Sequence, residues 1–253
     1  MSDSPLSGTS PVGVVSPHLD DAAFSCGHLL GDHAGSHVLT VFSAGGPLDG
    51  WVPEWEARSG MFRPGDDVMA ARRAEDEKAL TAAGAVAHHL GFVDAQYREG
   101  PPPRHPRLRP WAQRAARARA RGPGLVPAIS QRLGAEVSGL DIETWCVPLG
   151  LWHVDHHLVA AACRELALAL PERHWVVYED LPYALRLPSS DVVAAHRLYS
   201  DRGLGLRALG FEPATRAGRK RELLSIYRSQ LGPLGEGVGQ AVAGPEKYFL
   251  VTR

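Results

Sequence analysis

Residues 12–31 read VGVVSPHLDDAAFSCGHLLG. The apolar run from Val12 to Ser16 is typical of a short buried strand, and the acidic turn PHLDD follows it at once. Ala22 to Leu30 has the composition of a helix, which Gly31 ends. The stretch therefore predicts a strand, a tight loop and a helix, which is the opening unit of an α/β sheet.

The same alternation of strand and helix continues along the chain. Further strands are predicted at His37–Phe42, Val86–Phe92, Glu143–Pro148, His174–Tyr178 and Lys247–Val251. Helices are predicted at Asp66–Ala83, Trp111–Arg121, Leu125–Val137, Val154–Leu170, Asp191–Tyr199 and Arg219–Gln230. Helical connections of this length favour parallel strands. We therefore expect a single-domain α/β fold with a Rossmann-like, mostly parallel sheet and helices on both faces.

Composition excludes several classes of protein. The chain has 253 residues, of which 44% are hydrophobic and 22% charged, as in an ordinary globular domain. Its 27 basic and 28 acidic residues give a formal net charge of -1, so neither nucleic acid nor an anionic membrane is an expected partner. The three cysteines are widely spaced, which suggests neither a disulfide framework nor a thiolate zinc site.

The first residues are polar and lack the basic and apolar regions of a signal peptide. We therefore expect a poorly ordered tail over residues 1–11, one domain over residues 12–253 and a cytoplasmic location. No segment resembles a membrane span, since the most apolar helical run, Leu158–Leu170, contains Arg164 and Glu165.

Two acidic histidine motifs carry the candidate chemistry. The first comprises His18, Asp20 and Asp21 on the predicted turn after the first strand. An imidazole and a carboxylate three residues apart can bind one divalent metal ion, which leaves Asp20 as a second carboxylate beside it. The second motif, HVDHH at 153–157, follows another predicted strand. It offers a third ligand together with a histidine and aspartate pair.

Both motifs also have structural interpretations. Asp20 or Asp21 suits the N-cap of the following helix, and the histidines of 153–157 suit a solvated helix start. The two motifs nevertheless fall at the C-terminal ends of predicted parallel strands, where such sheets place their ligand sites. Together they predict a metal site at that edge of the sheet.

With these motifs the sequence resembles the zinc-dependent N-acetylglucosaminylphosphatidylinositol de-N-acetylase family, also called PIG-L or LmbE-like. The Pro-His-x-Asp-Asp and His-x-Asp-His runs of that family are matched at Pro17–Asp21 and His153–His156. Further similar segments are 72–85, 90–95, 178–183 and 220–230. The resemblance covers most of the chain, from residue 12 to residue 231.

The resemblance implies a metal site with three protein ligands, His18, Asp21 and His156. Zinc is the expected metal, and ferrous iron or cobalt would suit the same ligands. The sequence departs from the family at Leu19, where proline is common, and at Ala22, where glutamate is common. Neither change removes a ligand.

The resemblance also implies how three further groups act. Asp20 is expected to be the general base, and a protonated His153 is expected to stabilise the oxyanion or to protonate the leaving amine. Asp155 is expected to keep His153 aligned and charged. The function expected on this basis is removal of an acetyl or other acyl group from the amide nitrogen of an amino sugar, or of a natural product that contains one.

Four further residues are candidates for substrate contact, namely Arg73, Trp152, Glu179 and Asp180. Trp152 is the best placed, because it precedes His153 and its ring can stack on a sugar. Glu179 and Asp180 end a predicted strand, where capping or an ion pair is the alternative. A solvated helix surface is the alternative for Arg73.

Other hypotheses stay open at this point. An amidase that cleaves a thiol conjugate or a larger acyl group, and a non-catalytic sugar-binding module, would both suit this fold. The arginine-rich stretch 104–121 suits a phosphate group on a substrate, although an exposed basic face is the commoner structure. Core packing is expected for Trp51 and Trp55. A small-molecule substrate is the expected partner, and the sequence is compatible with a homo-oligomer.

Overall fold

The strand predicted in the opening stretch forms at Gly13–Ser16 (β1), and PHLDD leads from it directly into a helix at Asp21–Asp32 (α1). The computed structural model of the protein describes residues 4–45, 51–99, 122, 124–211, 217–234 and 244–253. Within these residues the further strands are β2 (His37–Ala44), β3 (Val86–Val93), β4 (Thr144–Pro148), β5 (His174–Tyr178), β6 (Gly205–Leu209) and β7 (Tyr248–Thr252).

These seven strands form one sheet in the order β3-β2-β1-β4-β5-β7-β6. β1 pairs in parallel with β2 and with β4, while β3 extends the parallel sheet beyond β2 and β5 extends it beyond β4. β7 runs antiparallel to both β5 and β6. The predicted single-domain α/β fold with a mostly parallel sheet is confirmed.

Helices connect most of the strands. Beyond α1 the described helices are α2 (Glu54–Ala57), α3 (Val68–Ala83), α4 (Ala95–Glu99), α5 (Leu125–Gly139), α6 (Val154–Ala169), α7 (Ser189–Ser200), α8 (Ala217–Leu224) and α9 (Arg228–Leu234). None of these described helices has the length and apolar character that a bilayer crossing requires. The helix predicted at 111–121 and the arginine-rich stretch 104–121 lie outside the described residues.

Helices cover both faces of the sheet, because neighbouring residues of each strand point to opposite sides. On β1, Val15 belongs to a buried cluster with residues of α5, α6 and α7. Val14 belongs to a second buried cluster with residues of α1, α3 and α8. On β4, Trp145 and Cys146 divide between the same two clusters. The central strands are therefore apolar on both faces, as parallel strands between helix layers are.

Two C-terminal elements differ from the prediction. The helix expected at 219–230 is two helices, α8 and α9, and residue Tyr227 between them is buried with its hydroxyl donating to Asp76 Oδ1 at 2.8 Å. The edge strand β6 was not expected, because its residues are exposed or half-buried and show no apolar period. A strand without a buried face, such as β6, cannot be recognised from the alternation of apolar residues.

Leu6 packs on the domain, while residues 7–11 are exposed. Leu6 is 5% exposed and belongs to the same buried cluster as Val14. The Ser10 carbonyl oxygen lies 2.7 Å from His33 Nδ1. Leu6 is therefore an apolar anchor within the tail predicted over residues 1–11, and the low order of that tail stays a prediction.

The turn between β4 and α6 requires glycine at position 150. Gly150 has a left-handed φ of 90°, and a Cβ at this position would lie 2.6 Å from Ala160 Cβ and 3.1 Å from the His156 carbonyl oxygen. Its backbone N–H donates to Asp180 Oδ2 at 2.9 Å. The turn therefore sets where α6 begins relative to the end of β5.

Replacing Gly150 with alanine should destabilise the fold. A Cβ in a left-handed conformation and against α6 is expected to lower the free energy of unfolding by about 1 to 3 kcal/mol. Urea denaturation followed by circular dichroism measures this change. Gly139→Ala is the control, because no atom lies within 4 Å of the added Cβ. Equal stability of the two variants would contradict the role assigned to Gly150.

Candidate metal centre

The loop after β1 places His18 and Asp21 against each other. Asp21 Oδ2 accepts a hydrogen bond from the His18 backbone N–H at 2.8 Å and lies 3.1 Å from His18 Nδ1. Ser16 holds the loop, since its hydroxyl donates to the His18 carbonyl at 2.7 Å and accepts from the Ala22 N–H at 3.0 Å. The ring and the carboxylate consequently face one point.

His156 reaches the same point from the first turn of α6. Its Nε2 lies 3.1 Å from Asp21 Oδ2, while its Nδ1 lies 2.5 Å from Asp180 Oδ1. The His156 side chain is fully buried, and Nε2 has no hydrogen-bond partner among the described residues. A buried polar atom without a partner costs about 1 to 3 kcal/mol, so this nitrogen favours a ligand.

The three donors fit a divalent metal ion. One atom from each of His18, Asp21 and His156 lies within 4.8 Å of the other two. Two imidazole nitrogens and one carboxylate oxygen are the protein ligands of many catalytic zinc sites, which keep a further position open for water. The fold thus brings the three predicted ligands together, although His18 and His156 are 138 residues apart in the sequence.

The charges around these donors also favour a cation. Burial alone would lower the pKa of His156, but the carboxylates of Asp21 and Asp180 raise it to about 9. Burial alone would raise the pKa of Asp21, but the rings of His156 and His18 hold it well below its usual range. A nitrogen that attracts a proton this strongly also attracts a metal ion, which competes with the proton for the same lone pair.

A cavity of about 360 Å³ opens beside the three donors. Aromatic and polar side chains share its described walls, among them Trp55, Arg72, Asp94, Trp152, Tyr183 and Gln230. Trp55 therefore lines the cavity instead of packing in the core, and its Nε1 donates to Gln230 Oε1 at 2.9 Å. Apolar walls with a few polar groups are typical of a small-molecule site.

Asp20 faces this cavity and does not cap α1. It occupies the N-cap position, yet its side chain makes no capping hydrogen bond. Burial and the charge of Asp21 raise the pKa of Asp20 to about 7. Its carboxylate lies 3.8 Å from Arg72 Nη2. The capping interpretation is therefore wrong for Asp20. Its carboxylate can instead contact a ligand bound in the cavity.

The Asp155 carboxylate contacts His18 directly and lies within 4.8 Å of the His153 ring. Its Oδ2 lies 3.2 Å from His18 Nε2 and accepts from the Ala95 N–H at 2.9 Å, while Oδ1 accepts from Arg98. The backbone N–H of Asp155 instead donates to His153 Nδ1 at 3.2 Å. Burial and the neighbouring His18 lower the pKa of His153 to about 3. The His153 Nδ1 therefore accepts a backbone N–H, an arrangement that differs from the charged ring expected from the resemblance.

Three of the four predicted substrate contacts are engaged elsewhere. Asp180 is fully buried, and its carboxylate binds His156 and the turn after β4. Glu179 pairs with Lys247 at 3.0 Å. Arg73 donates to a carbonyl group near the end of β2 at 2.9 Å. None of the three is among the described residues that line the cavity, so their predicted role is corrected.

Trp152 does line the cavity, as predicted from its place before His153. Its side chain is 70% exposed, and its φ of 63° lies in the left-handed region. Residues other than glycine rarely adopt this conformation, and strained backbone of this kind is concentrated at functional sites. The exposed indole is therefore available to a ligand at the cavity mouth.

Arg72 is a cavity residue that the sequence analysis did not select. Its Nη1 lies 2.8 Å from Glu56 Oε1, and its guanidinium also lies 3.8 Å from Asp20 and 3.9 Å from Asp94. Arg72 and Arg73 are adjacent on α3, so their side chains point about 100° apart. The sequence alone does not show which side of α3 faces the cavity, so it favours Arg73 over Arg72 as the substrate contact.

Comparison with known proteins finds similar deacetylases. No family model matches the chain. A 2'-N-acetylparomamine deacetylase of Streptomyces fradiae is 30% identical over 185 residues. This similarity is in line with the resemblance to the LmbE/PIG-L-like family. The matched region covers 71% of this chain and 60% of that relative, so the chain spans less than two thirds of the relative's length.

Solved structures of deacetylases share the fold of this chain. The A40926 pseudoaglycone deacetylase Dbv21 superposes with a TM-score of 0.70 at 24% identity, covering 97% of this chain and 98% of that one. The zinc inhibited form of teicoplanin deacetylase Orf2 superposes with a TM-score of 0.69 at 23% identity, covering 96% and 98%. Identities at this level establish the common fold.

Asp180→Ala should weaken zinc binding, because His156 Nδ1 loses its acceptor. Loss of such a supporting hydrogen bond typically reduces metal affinity about 10- to 100-fold. Competition with a chromogenic chelator measures the dissociation constant. The adjacent Glu179→Ala is the control and should bind zinc like the wild type. Unchanged zinc affinity in Asp180→Ala would contradict the support assigned to Asp180.

Proposed function

We propose that the protein is a metal-dependent hydrolase that removes an acetyl or other acyl group from the amide nitrogen of an amino sugar or an amino-sugar-containing natural product. The observation that carries this proposal is the convergence of His18 Nδ1, His156 Nε2 and Asp21 Oδ2 beside the cavity. Support also comes from the relatives, which are a 2'-N-acetylparomamine deacetylase, an A40926 pseudoaglycone deacetylase and a teicoplanin deacetylase.

His18, Asp21 and His156 would hold the metal. Zinc suits two imidazoles and a carboxylate, and ferrous iron or cobalt suits the same set. When bound, the metal supplies Lewis-acid activation of the amide carbonyl and of a water molecule. The remaining steps depend on groups of this chain that line the cavity beside the ligands.

Asp20 is the general base in this proposal. Its carboxylate is buried, borders the cavity and adjoins the ligand Asp21. It would take a proton from the attacking water, while the C–N bond of the amide breaks and the amine leaves with a proton. A non-catalytic sugar-binding module has no use for a second carboxylate beside the metal ligands, so the hydrolase hypothesis is favoured.

His153 is the donor that stabilises the oxyanion on the former amide carbonyl. Because its Nδ1 accepts from a backbone N–H, the neutral ring carries its proton on Nε2. A fixed neutral donor lowers the barrier without a positive charge, and removal of one such donor typically costs about 3 to 4 kcal/mol of transition-state stabilisation. His153 borders the cavity together with His18.

The shape of the cavity suits a sugar. The rings of Trp55, Trp152 and Tyr183 offer flat apolar faces, and Gln230 and Arg72 offer hydrogen-bond donors. Aromatic faces pack well against sugar rings, while the polar groups bind hydroxyls. We propose a small-molecule N-acyl amino sugar as the partner, in preference to a thiol conjugate.

We propose a cytoplasmic location on the evidence of the cysteines. Cys26, Cys146 and Cys163 are free and buried, which is compatible with a reducing compartment. The surface carries nearly balanced charge, which gives no support to nucleic acid or an anionic membrane as a partner. Size-exclusion chromatography with light scattering tests whether the protein is a homo-oligomer.

Asp20→Asn should keep the metal and lose turnover. The amide is nearly isosteric with the carboxylate but cannot accept the proton, so kcat on an N-acetylglucosaminyl compound should fall by roughly 10²- to 10⁴-fold. Release of free amine measures turnover, and metal analysis of the same sample provides the control. Full activity in Asp20→Asn would show that the base is another group.

Trp152→Ala should raise KM for the N-acetyl amino sugar with little effect on kcat. Loss of one stacked ring is expected to raise KM by about 2- to 10-fold. Alanine and tryptophan are both disfavoured at this left-handed φ, so the backbone strain stays similar and the measured change reports the loss of the indole ring. Trp51→Ala is the control, since Trp51 is not among the described cavity residues. A KM unaffected by Trp152→Ala would remove Trp152 from the substrate site.

A further inference from the structure

The two nitrogens of the His18 ring face different partners. Nδ1 lies 3.1 Å from Asp21 Oδ2, whereas Nε2 lies 3.2 Å from Asp155 Oδ2 and 3.8 Å from Asp94 Oδ2. A neutral imidazole carries one proton, so a proton on Nε2 leaves the Nδ1 lone pair for a metal ion. The acceptor at Nε2 therefore determines which nitrogen can bind the metal.

Asp155 is itself fixed by donors on both of its oxygens. Its side chain is fully buried, and Oδ2 accepts from the Ala95 N–H at 2.9 Å. Oδ1 accepts from Arg98 Nη2. A buried carboxylate needs such compensation, because removing its partner leaves an uncompensated charge. Arg98 thus controls the orientation of the acceptor that His18 uses.

Arg98 is held by the two strands at the edge of the parallel sheet. Its Nη1 donates to the Val93 carbonyl at the end of β3. Its guanidinium lies over the Phe42 ring of β2, 4.7 Å from the centroid. The Phe42 ring is buried and lies 6.1 Å from the His18 ring. The arginine is therefore anchored next to the ring that it influences.

We propose that Arg98 is a positioning residue of the metal centre, which acts through Asp155 to hold the His18 ring with Nδ1 toward the metal. This inference rests on the metal site of the proposed function. The competing explanation is that the buried ion pair only stabilises the fold. The two explanations differ in metal affinity, which an ion pair serving the fold alone would not change.

Zinc affinity of Arg98→Met, Arg98→Lys and wild type, measured by competition with a chromogenic chelator, tests the proposal. We expect Arg98→Met to bind zinc about 10- to 100-fold more weakly, with Arg98→Lys between it and the wild type. Arg173→Met is the matched control, because Arg173 is also partly buried and donates to a carbonyl, that of Ile142 at 2.9 Å. This control should bind zinc like the wild type.

The double variant Arg98→Met with Asp155→Asn provides the second measurement. Because Arg98 acts through Asp155, its loss should weaken binding no further once Asp155 is changed. Additive losses, or unchanged zinc affinity in Arg98→Met, would overturn the proposal. If Arg98→Met does not fold, the zinc affinity of Arg98→Lys is the deciding measurement. An affinity equal to that of the wild type would then contradict the proposal.

The outcome for Arg98 is separable from that of the proposed function. A wild-type protein that binds zinc but releases no amine from N-acetyl amino sugars contradicts the hydrolase, while a weakened Arg98→Met still supports the positioning role. Equal zinc affinity of Arg98→Met and wild type contradicts the positioning role alone. A wild-type protein that binds no divalent metal overturns both.

Discussion

A single carboxylate oxygen, Asp21 Oδ2, connects the two halves of the site. It accepts the His18 N–H and lies 3.1 Å from both His18 Nδ1 and His156 Nε2. Two imidazoles and a carboxylate buried together are unfavourable unless a cation compensates them, because burial penalises isolated charge and unpaired polar atoms. The arrangement around Asp21 is therefore best understood as a site shaped for a bound metal ion.

The sheet order explains how residues distant in sequence meet at that oxygen. β1, β4 and β5 are consecutive parallel neighbours, so the loops that follow them share one edge. The loop after β1 carries His18 and Asp21, the turn after β4 leads to His156, and Asp180 follows β5. β3, at the other side, leads to α4 and hence to Arg98. β1, β3, β4 and β5 thus each deliver a group to the metal site from their C-terminal ends.

The parallel strands could be predicted from sequence, because short apolar runs between helices are local patterns. The ligand set of His18, Asp21 and His156 was implied by the family resemblance and stays a prediction. β5 was predicted with its observed bounds at 174–178. The supporting contacts could not be predicted. The sequence predicts a substrate contact for Asp180, because a strand end does not reveal which way a carboxylate points. The bond between Asp155 and His18 joins residues 137 apart, and no local pattern encodes it.

Diffraction from crystals of the wild-type protein grown with zinc, recorded at the zinc absorption edge, tests the central claim most directly. The account predicts one strong anomalous peak about 2.0 to 2.2 Å from His18 Nδ1, His156 Nε2 and a carboxylate oxygen of Asp21. A zinc peak coordinated by other residues, or an ordered site with no peak at saturating zinc, would contradict it.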